Sequence, residues 1–288
     1  MIETVSKNLV KLKQAFRQSY SGSSHIQEVV PLETSDSFPI DQNILDALHI
    51  FATKNPIYYN SYEEKINEVN CIVYEGDINK YWLNSITHGA SYQPFSPTWI
   101  LSACIITSIA QELNYNEVID VGSGDGRIAY CGKILGLNSH AIEIDDMLVN
   151  LQESIGDLTN TAFNPICADA VKYDYTNLQL QKPIFFIGGL AQMGGDVLAT
   201  SIIENLDSKI KQKTCMVFAG SYSEKYSFGD TSEAGWGKLI DKNNLKIIKS
   251  VFLPTVWSFD QTVTHHTFLQ NLLNIHNFFI TYRYTENF

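Results

Sequence analysis

The sequence predicts an α/β protein in which helices cover both faces of a doubly wound, mostly parallel sheet. Short apolar segments alternate with helical segments from residue 96 onward, and one apolar segment ends in a turn with glycine at every second position. Strands that alternate with helices form parallel sheets. The 288-residue chain is 44% hydrophobic and 18% charged, which is typical of a globular protein with a sizeable core.

The individual elements follow from the period of the apolar residues. The predicted strands are 117–121, 139–144, 164–168, 183–187, 214–219, 245–253 and 277–284. The predicted helices are 97–113, a segment from the glycine turn through 136, 146–155 and 196–210. This order predicts that the carboxyl ends of the parallel strands meet at one edge of the sheet.

Residues 1–90 are predicted to form a mostly helical extension in front of a domain at 91–288. Apolar residues three or four apart predict two amphipathic helices, and Asp41 is a plausible N-cap of the second. Residues 53–90 are rich in aromatic side chains: Tyr58, Tyr59, Tyr62, Tyr74, Tyr81 and Trp82. Such rings suit a cap over an active site, packing onto the sheet, or a homodimer contact, and the pattern leaves these alternatives open.

The overall charge restricts the class of partner. The formal net charge is −11 and the isoelectric point is about 5.0, which disfavours a nucleic-acid substrate. Five scattered cysteines without a CxxC pair indicate reduced thiols, so we expect a cytoplasmic protein. The most apolar helical segment, 99–113, is too short for a membrane span, and the histidines have no spacing typical of a metal site.

The glycine turn lies in VIDVGSGDGRIA, residues 118–129. A P-loop needs four residues between its first glycine and the Gly-Lys pair, but five residues separate Gly126 from Gly132. A dinucleotide fingerprint needs glycine or alanine where Arg127 stands. The spacing is instead GxGxG, and it follows an acidic residue, Asp120.

Three segments in this order resemble the class I S-adenosylmethionine-dependent methyltransferases. The turn from Asp120 to Gly126 resembles their first motif, Glu143 follows 21 positions after Gly122, and Asp169 ends the next strand. The resemblance covers roughly residues 92–220 and implies a seven-stranded sheet whose last strand is antiparallel. It implies S-adenosylmethionine as cofactor and S-adenosylhomocysteine as product, with Glu143 on the ribose hydroxyls and Asp169 near the adenine. The cofactor-binding residues implied in this part of the chain are Asp120, Gly122, Ser123, Gly124, Asp125, Gly126, Glu143, Ile144, Asp169, Ala170 and Gly188.

The segment YQPFSPT, residues 92–98, more weakly resembles the archaeal protein-lysine methyltransferases. This implies that Tyr92, Phe95 and Thr98 lie near the methionine end of the cofactor. Many class I enzymes that methylate amide or ring nitrogens carry (Asp/Asn)-Pro-Pro-(Tyr/Phe) after the fourth strand, whereas residues 187–195 read IGGLAQMGG. No catalytic residue is therefore assigned, and DNA-adenine-type chemistry is disfavoured.

Three functions remain open at this stage. The first is methyl transfer to a small-molecule or protein acceptor. The second is a catalytically silent subunit that binds S-adenosylmethionine or S-adenosylhomocysteine, and the third is an NAD-dependent oxidoreductase. If the extension selects the acceptor, removing residues 1–90 should lower cofactor affinity modestly and abolish methyl transfer.

Overall fold

The computed structural model describes residues 2–85, 95–189, 194–211, 213–219, 236–254 and 263–271. The helices are α1 (Ile2–Ser19), α2 (Gln42–Lys54), α3 (Asn79–Ser85), α4 (Ile100–Glu112), α5 (Arg127–Ile134), α6 (Asp146–Thr159), α7 (Gly195–Asn205), α8 (Ser208–Lys211) and α9 (Gly237–Lys242). The strands are β1 (Ile26–Pro31), β2 (Tyr58–Ile66), β3 (Val69–Gly76), β4 (Glu117–Val121), β5 (Asn138–Glu143), β6 (Asn164–Cys167), β7 (Pro183–Ile187), β8 (Cys215–Ala219), β9 (Leu245–Pro254) and β10 (Val263–Asn271).

The central sheet has seven strands in the order β6-β5-β4-β7-β8-β10-β9. The five strands from β6 to β8 are parallel, while β10 runs antiparallel to both β8 and β9. The predicted seven-stranded sheet with a reversed last strand is therefore confirmed. Helices α4, α5 and α6 cover one face, and α7 and α9 cover the other.

The position of the reversed strand differs from the prediction. The reversed strand is Val263–Asn271, where no strand was predicted, and the predicted strand 277–284 lies outside the described part of the chain. The sequence of β10, VTHHTFLQN, places polar residues within the strand and hides the apolar alternation that would have marked it. The register of β10 also shifts against β9 between Phe268 and Leu269, which interrupts the period further.

The N-terminal extension contains a sheet as well as helices. Strands β1, β3 and β2, in that order, form a three-stranded antiparallel sheet, so the expectation of a mostly helical extension was wrong for these segments. Strand β2 lies at an edge and is largely exposed, so it lacks the apolar alternation of a half-buried strand. Its hairpin turn places Asn67 and Glu68 at φ 45° and 66°, a left-handed pair that the sequence did not signal with glycine.

One apolar core runs from the extension into the face of the central sheet that carries α4, α5 and α6. Helix α1 contributes the residues that its spacing predicted, Val5, Leu9, Leu12 and Phe16, all at most 3% exposed. Helix α4 lies between the extension and the sheet, and ten of its thirteen residues are buried. The core is therefore continuous across residue 90.

Lys13 lies on the buried face of α1. Its side chain is 1% exposed, and its Nζ atom lies 5.2 Å from the centroid of the Trp99 ring and 5.8 Å from that of Phe16. Among the described residues the Nζ atom has no hydrogen-bond partner. Burial lowers the pKa of Lys13 to about 8, although the nearby carboxylate of Glu28 acts in the opposite direction.

We expect Lys13→Met to stabilise the protein at pH 7 by about 1–3 kcal/mol, because a buried ammonium group becomes an apolar side chain of similar length. In the wild type, the pKa of Lys13 falls from 10.5 to about 8 on folding. The unfolded chain thus binds more protons between these values, and wild-type stability rises with pH across that window. The advantage of Lys13→Met should therefore shrink between pH 7 and pH 9.5 in urea denaturation. A difference that stays constant with pH would contradict this account of Lys13.

Candidate functional site

The strand order reverses where β4 and β7 end side by side, and doubly wound sheets have a crevice at this place. These neighbouring parallel strands are in register up to Val121 and Ile187, and the next residues are Gly122 and Gly188. The chain continues from β4 to β5 and β6 on one side, whereas β7 and β8 lie on the other. In doubly wound sheets, ligands bind in the crevice at this reversal of strand order.

The three positions of the turn carry glycine for different structural reasons. Gly122, Gly124 and Gly126 all have a left-handed backbone, with φ of 66°, 58° and 77°. A Cβ atom on Gly124 would lie 2.6 Å from the ring of Phe95, and one on Gly126 would lie 2.9 Å from that of Phe163. A Cβ atom on Gly122 would meet nothing within 4 Å in the described part of the chain. The lack of a side chain at Gly124 and Gly126 thus lets two aromatic rings pack against the turn. Gly122 has no such neighbour among the described residues.

The turn is held by α6 as well as by the sheet. The backbone N–H groups of Gly122 and Ser123 both donate to the carbonyl of Ile142 in β5. The side chain of Gln152 donates to Ser123 Oγ at 2.9 Å and to the carbonyl of Gly124 at 2.7 Å. The role of Gln152 in holding the turn could not be predicted from the sequence, because a glutamine in an amphipathic helix gives no signal that distinguishes it from a surface residue.

Glu143 ends β5, with a carboxylate that is 6% exposed. Its Oε2 atom accepts a hydrogen bond from Gly124 N at 2.8 Å, and Oε1 accepts from Ile144 N at 2.8 Å and Asp145 N at 3.1 Å. Burial raises the pKa of Glu143, and these three N–H groups act in the opposite direction. A carboxylate has about four acceptor positions. The three hydrogen bonds leave one acceptor position of Glu143 for a ligand. The predicted contact with two ribose hydroxyls would need two such positions.

Asp120, at the end of β4, is 3% exposed. Its Oδ2 atom has no hydrogen-bond partner among the described residues. Burial, together with the nearby carboxylates of Asp125 and Glu143, raises the pKa of Asp120 well above its usual value. A positive charge placed near this carboxyl would favour its ionised form.

Asp169 and Ala170 follow the end of β6, beside β5 in the sheet. The carboxylate of Asp169 accepts a hydrogen bond from Val171 N at 3.0 Å and forms an ion pair with Lys172 at 2.9 Å. Ala170 is 7% exposed, and its carbonyl accepts a hydrogen bond from the hydroxyl of Tyr175. The structure therefore brings the strand-end acids Glu143 and Asp169 to the same edge of the sheet.

The segment 95–99 passes over the turn before α4. Phe95 is 5% exposed and packs its ring on Gly124, while Thr98 directs its carbonyl to the guanidinium of Arg127. Tyr92 lies outside the described residues. The carboxylate of Asp125 is buried and accepts hydrogen bonds from Asn55 and Arg127, so it is directed to the extension.

Helix α3 is anchored at this edge of the sheet by polar contacts at its end. The side chain of Asn84 donates to both carboxylate oxygens of Asp145, at 2.9 and 2.8 Å, and Ser85 Oγ accepts from the backbone N–H of Phe95. Tyr81 packs edge-on against Phe95, with 6.2 Å between the ring centroids, whereas Trp82 is 38% exposed. Of the aromatic residues highlighted in the extension, these two lie nearest to the glycine turn along the chain.

Two other features bear on the kind of site. The described residues contain no group of three or more His, Cys, Asp or Glu that could hold a metal ion. Within the same part of the chain, no helix has the length and apolar character needed to cross a membrane.

The strand order and the crevice define the class of this chain: a doubly wound α/β protein with the seven-stranded sheet that the class I methyltransferases also have. No family model and no curated protein matches the sequence. Three solved structures to which the chain is similar are a tRNA (uracil-54, C5)-methyltransferase from Pyrococcus abyssi in complex with S-adenosyl-L-homocysteine, a magnesium protoporphyrin IX methyltransferase from Synechocystis with bound S-adenosylhomocysteine, and a ribosomal protein L11 methylase from Lactobacillus delbrueckii.

The three similarities are distant. The sequence identities are 12%, 10% and 15%, and the TM-scores are 0.45, 0.43 and 0.40, in the same order. The alignments cover 73%, 60% and 60% of this chain, and 44%, 83% and 78% of the respective solved chains. The fold of this chain is defined by its own strand order.

Proposed function

We propose that this protein is an S-adenosylmethionine-dependent methyltransferase. The observation that carries the proposal is the pair of glycines, Gly122 and Gly188, which lie side by side where β4 and β7 end, and beside which a Cβ atom would meet no described residue within 4 Å. A backbone without side chains at the reversal of strand order suits the close approach of a nucleoside-containing cofactor. Glu143 at the end of the neighbouring strand keeps one acceptor position that a ribose hydroxyl could occupy.

The residues present fit this cofactor. Gly122 to Gly126 and Gly188 would form the floor, Glu143 and Ile144 would bind the ribose, and Asp169 with Ala170 would border the adenine. The buried carboxyl of Asp120 would lie beneath the cofactor and favour a cationic group above it. Bound S-adenosylmethionine supplies a methyl group that its sulfonium already activates. The task of this chain is then to orient an acceptor and exclude water, with Tyr92, Phe95 and Thr98 on the acceptor side.

The charges around the crevice support a neutral or cationic acceptor. Three acidic residues lie within three positions of the carboxyl ends of β5 and β6: Asp145, Asp146 and Asp169. Lys172 pairs with Asp169, and the net charge of the whole chain is −11. A polyanionic nucleic acid would meet repulsion here, whereas a small molecule or a protein side chain without negative charge would not.

The extension is proposed to cap the active site through α3. This helix contacts Asp145 and Phe95, which flank the turn region on two sides. Trp82 is the large, partly exposed ring on this helix that an acceptor could contact. The hydroxyls of Tyr58 and Tyr74, by contrast, form hydrogen bonds within the extension and, for Tyr58, with Arg127 of α5, so a structural role accounts for both rings.

The test is calorimetric titration of the full-length protein with S-adenosylhomocysteine and, separately, with NAD, followed by incubation with methyl-labelled S-adenosylmethionine and cell extract. We expect binding of S-adenosylhomocysteine alone and label in either the protein or the metabolite fraction. Binding without transferred label would favour the catalytically silent subunit. Binding of NAD without S-adenosylhomocysteine would establish the oxidoreductase alternative and overturn the proposal.

A further inference from the structure

Arg127, the first residue of α5, has a fully buried guanidinium whose five N–H groups all donate hydrogen bonds. The Nε–H group and one N–H group of Nη2 donate to the two carboxylate oxygens of Asp125, at N···O distances of 2.8 and 2.5 Å. Nη1 donates to the carboxylate of Glu28 and to the carbonyl of Thr98. The remaining Nη2 hydrogen binds the hydroxyl of Tyr58 at 3.1 Å. The side chain therefore joins β1, β2, the segment 95–99 and the glycine turn.

The groups that accept these bonds are themselves held from the extension and from α4. Glu28 Oε2 accepts a hydrogen bond from the backbone N–H of Ile100 at 2.9 Å. Asp125 Oδ2 accepts a second bond, from the side chain of Asn55 at 2.9 Å, and Asn55 Oδ1 accepts from Ile57 N at 3.1 Å. We refer to Glu28, Asn55, Tyr58, Thr98, Asp125 and Arg127 as the Arg127 network.

A buried ionic network is not needed for stability alone. Taking these charges out of water is costly, and well-packed apolar residues often stabilise a core equally well. The network does provide a fixed geometry. The N–H groups of a planar guanidinium point in fixed directions, so the five acceptor atoms around Arg127 can be arranged in only one way. Two of its members belong to the segments that border the crevice, namely Thr98 and Asp125.

The position of Asp125 connects the network with the conformation of the turn. It stands between Gly124 and Gly126, both of which have a left-handed backbone. Glycines place little restriction on their own φ and ψ, so the turn needs an external constraint. The carboxylate of Asp125 supplies it on the extension side, while Gly122 faces the open crevice.

We propose that the Arg127 network is a positioning device for the cofactor site, through which β1, β2 and Asn55 of the extension fix the glycine turn and the segment 95–99. This inference rests on the proposed function, since the ligand whose affinity it controls is the methyl donor. The network does not contact the reacting atoms. It acts by holding the turn in its binding conformation before the ligand arrives.

Tyr58→Phe tests the inference with the smallest change. It removes one hydroxyl from the network and keeps the ring and both ion pairs. We expect the dissociation constant for S-adenosylhomocysteine, measured by calorimetry at a temperature where circular dichroism shows a folded protein, to rise about tenfold. Amide hydrogen exchange at residues 122–126 of the free protein should become faster. Asn55→Ala, which removes a neutral donor to Asp125, should have the same two effects.

The matched control is Tyr130→Phe. Tyr130 is buried on α5, and its hydroxyl donates to the carbonyl of Ala47 at 2.9 Å across the same interface with the extension; Ala47 is not a member of the Arg127 network. It should lose a similar amount of thermal stability and keep the wild-type dissociation constant. If folded Tyr58→Phe and Asn55→Ala bind S-adenosylhomocysteine as the wild type does, or if Tyr130→Phe weakens binding equally, the positioning role is wrong. Failure of the wild type itself to bind would instead refute the proposed function.

Discussion

Deleting residues 1–90 is expected to leave a chain that does not fold. The reason is the position of α4, which is buried on nearly all sides because the extension covers the face that the sheet does not. Exposing that face would cost about 1.5–3 kcal/mol for each large apolar side chain. A few such residues exceed the total stability of about 5–15 kcal/mol typical of a domain.

The measurement is expression of residues 91–288 alone, with solubility, circular dichroism and cooperative urea unfolding as readouts. The matched control is co-expression of 1–90 and 91–288 as two chains, which should copurify and recover the spectrum of the intact protein. A monomeric 91–288 fragment that unfolds cooperatively would contradict the shared core. It would instead restore the hypothesis, drawn from the sequence, of a removable cap that affects the acceptor more than the cofactor.

Gly188→Leu is expected to abolish cofactor binding without destabilising the protein. Gly188 lies outside the left-handed region, and a Cβ atom there would meet nothing within 4 Å in the part of the chain that the structure describes. The new side chain would therefore extend into the crevice without strain. We expect the free energy of unfolding to change by less than about 0.5 kcal/mol, as for a surface substitution. The affinity for S-adenosylhomocysteine should fall at least about 100-fold, which corresponds to about 2.7 kcal/mol.

Gly156→Leu is the matched control for this variant. Gly156 lies on α6, and a Cβ atom there would make only an ordinary contact, 3.5 Å from the carbonyl oxygen of Thr161. We expect this variant to bind S-adenosylhomocysteine as the wild type does. Wild-type affinity in Gly188→Leu, measured by the same titration, would show that the crevice between β4 and β7 is not the cofactor site.

The sequence predicted the parts of the site that depend on local spacing. Strands β4 and β7 have the predicted bounds, because short buried strands between helices read as continuous apolar runs. The positions of Gly122 and Glu143 at strand ends were predictable because each directly follows or ends such a strand, whereas their contact with the cofactor stays a prediction. The spacing of the glycines also predicted a turn after β4, and the structure gives all three of them a left-handed backbone.

The contacts that hold the site could not be predicted in the same way. Glu28 binds Arg127 from 99 residues away, and Asn55 binds Asp125 from 70 residues away. No local period marks such a pair, since only the folded chain brings its members together. Asp125 shows the consequence: its place in the motif suggested a ligand contact, but its carboxylate is committed to the extension. The exposed strand β2 was missed because strand prediction depends on burial of one face.

The partial exposure of Trp82 gives the protein an optical probe at the edge of the crevice. Trp99 and Trp236 are 0% and 1% exposed, so a dissolved quencher such as acrylamide reaches neither of them, whereas Trp82 is 38% exposed. In a Trp257→Phe background, the quenchable fraction of the emission would come from α3 alone. Its loss during a titration would report occupation of the space beside α3, separately from the heat of cofactor binding, and so provide a direct screen for the methyl acceptor.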